Sequence, residues 1–409
     1  SRGATGGIQR RLHRGRITRL SVAPTAVTPD LRAVATVVAM AGVFGLQQGV
    51  SYPLLALILE EAGYSRSLIG VNAAMLPVGV IAATPLIAPL ARRLGGSGVA
   101  LLSCALMITA LAVLALSRDL GLWFVARFVL GMGVNGLYVM SETWLNLMVP
   151  RAQRGRWLAV YATSLAAGFA LGPTLLLLTG TDGLAPFAAT IAITAATAAL
   201  VTVAAPRLPP IRFQHGQSIR TFLPLAPLLL LAVGGAAAFD QAALTFLPIW
   251  VLEIGASTTA AQLAITALAL GNVALQWPIG WLADRGSRRA AMLVCTTATA
   301  LGALLLPLAD GGGWVLWTLV FLWGGVAYGT YTVALIELGD RFTGGLLLAG
   351  NAAFAMMWGV AGLVGPSSVG AAMDLLGPIG LPLVLGSMFT ALGLAFWFRP
   401  RLDKPTPIA

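Results

Sequence analysis

The sequence predicts an all-α integral membrane protein of twelve transmembrane helices in two pseudo-symmetric six-helix bundles. Three observations carry that prediction: a composition that no aqueous fold could hide, twelve apolar stretches of membrane-crossing length, and a repeat relating the first six stretches to the last six. Of 409 residues, 58% are hydrophobic and 10% charged, against roughly 25% charged in a soluble protein. With a mean hydropathy of +0.88, the chain takes the lipid bilayer as its solvent and first partner. The net charge of +11 would suit nucleic acid, but the basic residues lie between the apolar stretches and not on one face, so no nucleic-acid partner is expected. Cys104 and Cys295 fall inside apolar stretches and read as small buried hydrophobes. His13 and His215 lie in polar segments, so no metal site is expected.

A spanning helix needs about 20 apolar residues. The stretches run 33–59, 68–91, 98–117, 121–148, 157–180, 184–205, 222–251, 260–283, 290–309, 313–338, 346–372 and 376–398. Short polar connectors divide them, among them Glu60-Glu61-Ala62-Gly63, Ser117-Arg118-Asp119, Thr181-Asp182-Gly183 and Asp310-Gly311-Gly312-Gly313. Basic residues orient the array. With the N-terminus inside, the cytoplasmic side collects Arg92, Arg93, Arg151, Arg154, Arg156, Arg207, Arg212, Arg220, Arg285, Arg288, Arg289, Arg341, Arg399, Arg401 and Lys404, and the outside receives only Arg66 and Arg118. Both termini are therefore expected in the cytoplasm. The expected organisation is a basic tail at 1–30, a six-helix bundle at 31–205, a linker at 206–221, a second bundle at 222–398 and a tail at 399–409. The Arg-rich residues before the first span contain no apolar core, so a cleaved secretory signal is not expected.

Shifting the chain by 192 residues lays Leu59-Glu60-Glu61-Ala62-Gly63 over Val251-Leu252-Glu253-Ile254-Gly255, and Leu90-Ala91-Arg92-Arg93 over Leu282-Ala283-Asp284-Arg285. Cys104 falls over Cys295 at 191, and Gly172-Pro173 over Gly365-Pro366 at 193. A duplicated unit with an even number of spans keeps both halves in the same orientation, so they can rock about a central cavity.

The most specific stretch is Gly280-Trp281-Leu282-Ala283-Asp284-Arg285-Gly286-Ser287-Arg288-Arg289, between spans eight and nine. It resembles the signature loop of the major facilitator superfamily (MFS), with Ser287 in place of the second glycine. The resemblance implies that Gly280, Asp284, Arg285, Arg288 and Arg289 form a cytoplasmic gate. The first-half copy has Arg92 where the aspartate would stand. Trp123-x3-Arg127-x2-Leu130-Gly131-x-Gly133 in span four resembles the superfamily's fourth-span arginine pattern, common in proton-coupled exporters. Gly168-x3-Gly172-Pro173 in span five is similar to the exporter-associated glycine-proline motif, although Thr174 and Leu175 replace its trailing glycines; Gly365-Pro366 repeats it in span eleven. Glycines four apart also permit close helix packing, and proline bends a helix. Ser141-Glu142-Thr143-Trp144-Leu145-Asn146 resembles a little-characterised bacterial branch of the superfamily, similar to drug and metabolite exporters.

Charged groups deep in a span are costly, and they commonly serve transport. Asp240 lies about a dozen residues before Glu253 in span seven, near mid-depth, and its repeat mate is Gln48. It is the expected proton carrier, with Arg127 as its modulator or as a substrate-binding group. The alternative roles are a structural hydrogen bond for Asp240 and snorkelling to the interface for Arg127. Glu142 and Glu337 are expected to join the inner gate, with Arg154, Arg156 and Arg341 as partners, or to cap helices. The resemblance implies a cavity lined by spans one, four, seven and ten. Gln47, Gln48, Tyr52, Asn135, Tyr138, Gln241, Tyr328 and Tyr331, with Gln276 and Trp358 from neighbouring spans, are its candidate walls.

The expectation is a monomeric secondary transporter in a bacterial inner membrane. It would move a small, partly apolar solute by alternating access, and most simply by proton-coupled efflux. A proton gradient would be its energy source and no cofactor is expected. An importer or uniporter of a neutral metabolite, or a transporter-derived sensor, are the alternatives. No HExxH sequence or clustered deep acids support an enzyme.

Overall fold

The computed structural model describes residues 30–149, 154–211, 219–309 and 313–398. The expected tails, the middle of the linker, His13, His215 and the side chain of Arg154 lie outside the described residues. Among the described residues, ten helices are long and apolar enough to cross a membrane. Two of these are broken, and the breaks bring the count to twelve rods. Gly95, at φ 71° and ψ 168°, divides Arg66–Leu116 into 66–94 and 96–116. Gly377, at φ 67°, separates Gly344–Leu376 from Gly380–Phe398. Both glycines hold a left-handed backbone that a side chain would strain.

The rods are α1 (Leu31–Glu61), α2 (66–94), α3 (96–116), α4 (Leu120–Met148), α5 (Arg154–Thr179), α6 (Ala185–Ala204), α7 (Pro227–Glu253), α8 (Thr258–Arg285), α9 (Arg288–Leu305), α10 (Trp314–Arg341), α11 (Gly344–Leu376) and α12 (Gly380–Phe398). Side-chain caps start several of them. Asp30, Ser65, Asp119, Ser257 and Ser287 each accept from backbone N–H groups of the first turn. Ser287, which stands where the family loop has glycine, is thus the N-cap of α9. The largest boundary shift is at span seven, which starts at Pro227 and not at 222. Pro224 and Pro227 stop the preceding turn, leaving a short helix at Ile219–Phe222.

Glycine-to-carbonyl seams lock pairs of helices, and the seams repeat. In the first half a Cβ on Gly79 would lie 2.0 Å from the Phe128 carbonyl oxygen, and one on Gly131 2.0 Å from that of Leu76. In the second half Gly271 stands against the Phe321 carbonyl and Gly324 against that of Leu268. The α2–α4 seam therefore recurs as α8–α10 at a displacement of 192 or 193 residues. Gly136 against Ser103 likewise matches Gly329 against Cys295. The spatial counterpart of Cys295 is accordingly Ser103, and the alignment of Cys104 with Cys295 is corrected by one residue. A side chain at Gly79 or Gly271 must push two backbones apart. Gly79→Leu and Gly271→Leu should each destabilise the protein by about 3 kcal/mol or more. A lowered melting temperature of each purified variant checks this.

Large apolar side chains cover the outside, including Trp277, Trp314 and Trp397. In water such a surface would aggregate, whereas in lipid it is the expected wall. The two ends of the bundle differ. Arg92, Arg93, Arg207, Arg285, Arg288, Arg289 and Arg341 sit at one end, here the basic face, while Arg66 and Arg118 sit at the other, here the distal face.

Candidate functional site

Asp240 occupies the middle of α7, 13 residues from Pro227 and 13 from Glu253. That places it about 20 Å from either helix end at 1.5 Å per residue. It is 3% exposed. Tyr328, at the middle of α10, donates its hydroxyl to Oδ1, and Gln241 Nε2 donates to Oδ2 at 2.8 Å. The carboxyl has no arginine or lysine among the described ion pairs; hydroxyl and amide donors hold it. A group held this way can take up a proton and stay hydrogen-bonded, because its neighbours can rotate to suit either state.

Arg127 is 1% exposed and points inward, so it does not snorkel to the interface. Its Nη1 donates to the Ser51 carbonyl at 2.7 Å and its Nε to the Asn72 carbonyl at 3.4 Å, while its guanidinium lies 4.8 Å from the Tyr52 ring centre. Backbone dipoles and a π face thus replace a carboxylate partner. Tyr52 on α1 lies within electrostatic reach of both Arg127 and Asp240. The Tyr52 hydroxyl, Ser51 Oγ, Gln48 Oε1, Asn72 Nδ2 and Gln241 Oε1 are buried without hydrogen-bond partners among the described residues. Orphaned polar atoms are normally rare, and their concentration around Asp240 and Arg127 marks the polar centre of the molecule.

The other predicted wall residues divide. Gln47 donates to Thr194 Oγ1 of α6 at 2.8 Å, and Asn135 donates to Val80 O and Thr84 Oγ1 of α2 at 3.1 Å each. Both bind helices within the first half. Gln276 is bonded to Asn272 and Thr332 within the second. Tyr138 is half-buried and packs 4.6 Å from Phe44, ring centre to ring centre. Tyr331 meets Trp358 edge-on at 5.3 Å. Tyr138 on α4 and Tyr331 on α10 lie within electrostatic reach of each other across the two halves, and Glu142 reaches both. These partly buried rings lie on α4, α10 and α11, on the basic-face side of the level of Asp240.

The distal ends of the halves are fastened. Arg66 at the start of α2 pairs with Glu60 of α1 at 3.2 Å and with Glu253 of α7. Asp374 of α11 accepts from the backbone N–H groups of Arg66 and Ser67, each at 2.8 Å, and from the Ser67 hydroxyl. Those N–H groups belong to the first turn of α2 and have no partner in their own helix, so Asp374 both caps that helix and meets its positive dipole end. Close packing continues inward, with a Cβ on Gly70 lying 2.3 Å from the Pro366 carbonyl oxygen. Sequence reading missed this hub. Its one signal was Arg66 itself, a rare basic residue on a face that carries several acids.

On the basic face the predicted gate loop is bonded within the second half. Arg288 pairs with Asp284 at 3.1 Å and with Asp340 at 2.9 Å, Arg289 donates to the carbonyls of Phe396 and Trp397, and Arg285 lies over the Trp281 ring. A Cβ on Gly280 would meet open space. Glu337 pairs with Arg341 on the same helix at 3.2 Å. Glu142 and Arg156 are exposed. Among the described ion pairs, only Arg66–Glu253 crosses between the halves, on the distal face. Trp144, next to Glu142, is fully buried and donates to Pro209 O at 3.0 Å, tying α4 to the linker. Gly168 and Gly172 stand against Gly42 and Gly49 of α1, so Gly168-x3-Gly172-Pro173 is a packing seam here; Gly365 stands likewise against Ala238 of α7.

Twelve membrane-length rods, two repeated halves and a buried polar centre between them define a membrane transporter of the two-bundle type. The sequence matches the Major Facilitator Superfamily over residues 37–239 and again over 229–409, and the chain belongs to that family. It is 27% identical over 384 residues to YfkF, an uncharacterized MFS-type transporter of Bacillus subtilis (strain 168), covering 90% of this chain and 96% of that protein. An uncharacterized MFS-type transporter of Enterobacter sp. (strain 638) is 23% identical over 299 residues, covering 70% of this chain and 74% of the relative. Among solved structures, a point mutant of the nucleoside transporter NupG superposes with a TM-score of 0.77 at 14% identity, covering 90% of this chain and all of NupG. A D-xylose-proton symporter gives 0.72 at 15%, covering 91% and 98%. Both likenesses concern the fold.

Proposed function

We propose that the protein is a proton-coupled secondary transporter that expels a small, partly apolar solute from a bacterial cytoplasm by alternating access. The basic face is read as cytoplasmic, by the distribution of arginines. The observation that carries the reading is Asp240: a buried mid-depth carboxyl held by Tyr328 of α10 and by Gln241. The arrangement corresponds to a state with its outer side shut by Arg66, Glu60, Glu253 and Asp374. Solute would enter from the basic side. Rupture of the distal hub, and docking of the Asp284 loop against the first half, would then carry the site to the other side. A proton arriving at Asp240 from outside would reset it.

The test is flux in proteoliposomes under an imposed pH gradient. Efflux coupling predicts that solute moves against the proton flow and stops when an ionophore collapses the gradient. Movement of solute together with protons would favour uptake, and indifference to the gradient would favour a uniporter.

A further inference from the structure

We infer that the outer groove between α9 and α12 binds an anionic phospholipid, one acyl chain lying along the groove and the phosphate resting at Arg289. The inference is independent of the direction and coupling of transport. The groove is a cavity of about 250 Å³. Its rims carry Leu301, Leu304, Leu394 and Trp397, all exposed on the surface that faces lipid. Ala300 of α9 and Gly393 of α12 keep its lining low. Two glycines on α12 explain the shape. A Cβ on Gly393 would lie 3.2 Å from Thr296 Oγ1, and one on Gly386, two turns away, 3.2 Å from the Ala303 Cβ. They let the helix axes approach closely, and the larger side chains to either side stand as walls. Thr390, also in the lining, donates its hydroxyl to the Gly386 carbonyl at 2.8 Å and asks for no polar guest.

From Leu293 to Leu304 the groove follows α9 for about 17 Å. That is close to half of a ~30 Å hydrocarbon core, the depth of one leaflet. It starts about 6 Å beneath the level of Arg289, as an acyl chain starts beneath its headgroup. A helix with its side chains is about 10 Å wide and would lie over this groove, not in it; a single hydrocarbon chain fits. The charge is at the mouth. Arg289 donates through Nε to Phe396 O at 3.0 Å and through Nη2 to Trp397 O, which fixes its guanidinium beside the Trp397 rim. Among the described residues, Nη1 has no hydrogen-bond partner and the guanidinium no acid. Neighbouring Arg288 is already held by Asp284 and Asp340. After Phe398 the sequence adds Arg399, Arg401 and Lys404 against one acid, Asp403. Arginine donors suit a phosphate, and basic pockets between spanning helices hold acidic headgroups. The first half does not repeat these parts. At a displacement of 192, Val201 stands for Gly393 and Ser97 for Arg289.

The test titrates the purified, delipidated protein with three probes: phosphatidylglycerol, phosphatidylcholine with the same chains, and inorganic phosphate. Binding is read by native mass spectrometry and by melting temperature. The expected result is saturable binding of phosphatidylglycerol, about fivefold or more tighter than phosphatidylcholine, and no response to inorganic phosphate. Arg289→Gln should erase the preference between the two lipids. Thr297 is exposed and lines the groove, so Thr297→Phe fills the space without touching the core. It should weaken both lipids about tenfold. Because Arg289 also holds the end of α12, the filled variant decides if Arg289→Gln does not fold. Equal affinity for the two lipids in the unaltered protein overturns the inference. So does a preference that survives Arg289→Gln, binding indifferent to Thr297→Phe, or stabilisation by inorganic phosphate alone. A doubled mass that Thr297→Phe returns to one chain also overturns it, since the groove would then seat a second copy.

Discussion

In proteoliposomes, Asp240→Asn is expected to reduce pH-gradient-driven flux to the level of protein-free vesicles. The physical reason is specific to the position. Asparagine keeps the size of the side chain, and its oxygen can still accept from Tyr328. Gln241 can turn its amide to meet the new amide group. Packing around α7 is therefore preserved, and what disappears is the ability to gain and lose a proton. Asp240→Glu, which retains that ability on a longer stem, should keep part of the flux. Full gradient-driven flux in the asparagine variant would remove Asp240 from the carrier role. Flux lost equally in both, with melting temperatures intact, would show that geometry and not protonation is at stake.

The second large effect is expected at the distal hub. Arg66→Ala combined with Asp374→Ala removes the ion pairs to Glu60 and Glu253 and leaves two N–H groups at the start of α2 without their acceptor. Each exposed ion pair contributes little, but hydrogen bonds to a charged group are worth more, so the combined loss should be about 2–3 kcal/mol. All of it falls on the state that is shut at this end. The ratio of distally open to distally shut protein should then rise by about 30- to 150-fold. Spin labels at Tyr64 and Leu376 would report it as a longer distance population. An unchanged distribution would mean that the glycine seams between α2 and α11, and not the charges, hold the end closed.

The positions of the rods were legible in the sequence because each must be apolar for its whole length. The expected span 260–283, for example, became Thr258–Arg285. Where proline intervened, at the start of α7, the apolar run overshot the helix by five residues. Asp240 was legible because a carboxyl in mid-span is chemically conspicuous. Polar amides were not, since helical pattern says little about which neighbour a residue faces when every face is apolar. Gln47 and Asn135 thus turned out to hold α6 and α2. The Arg66 hub was illegible for a different reason. Its acids come from α1, α7 and α11, elements far apart along the chain, and only folding brings them together.

The central depth of Asp240 has an electrical consequence. A carboxyl halfway along α7 also lies about halfway through the voltage drop across a membrane. Bringing one positive charge to it from either side crosses roughly half the field, about 1 kcal/mol per 100 mV. Cell polarisation would therefore tilt the occupancy of this acid by several-fold even with identical pH on both sides, and the direction of that tilt depends on which mouth is open.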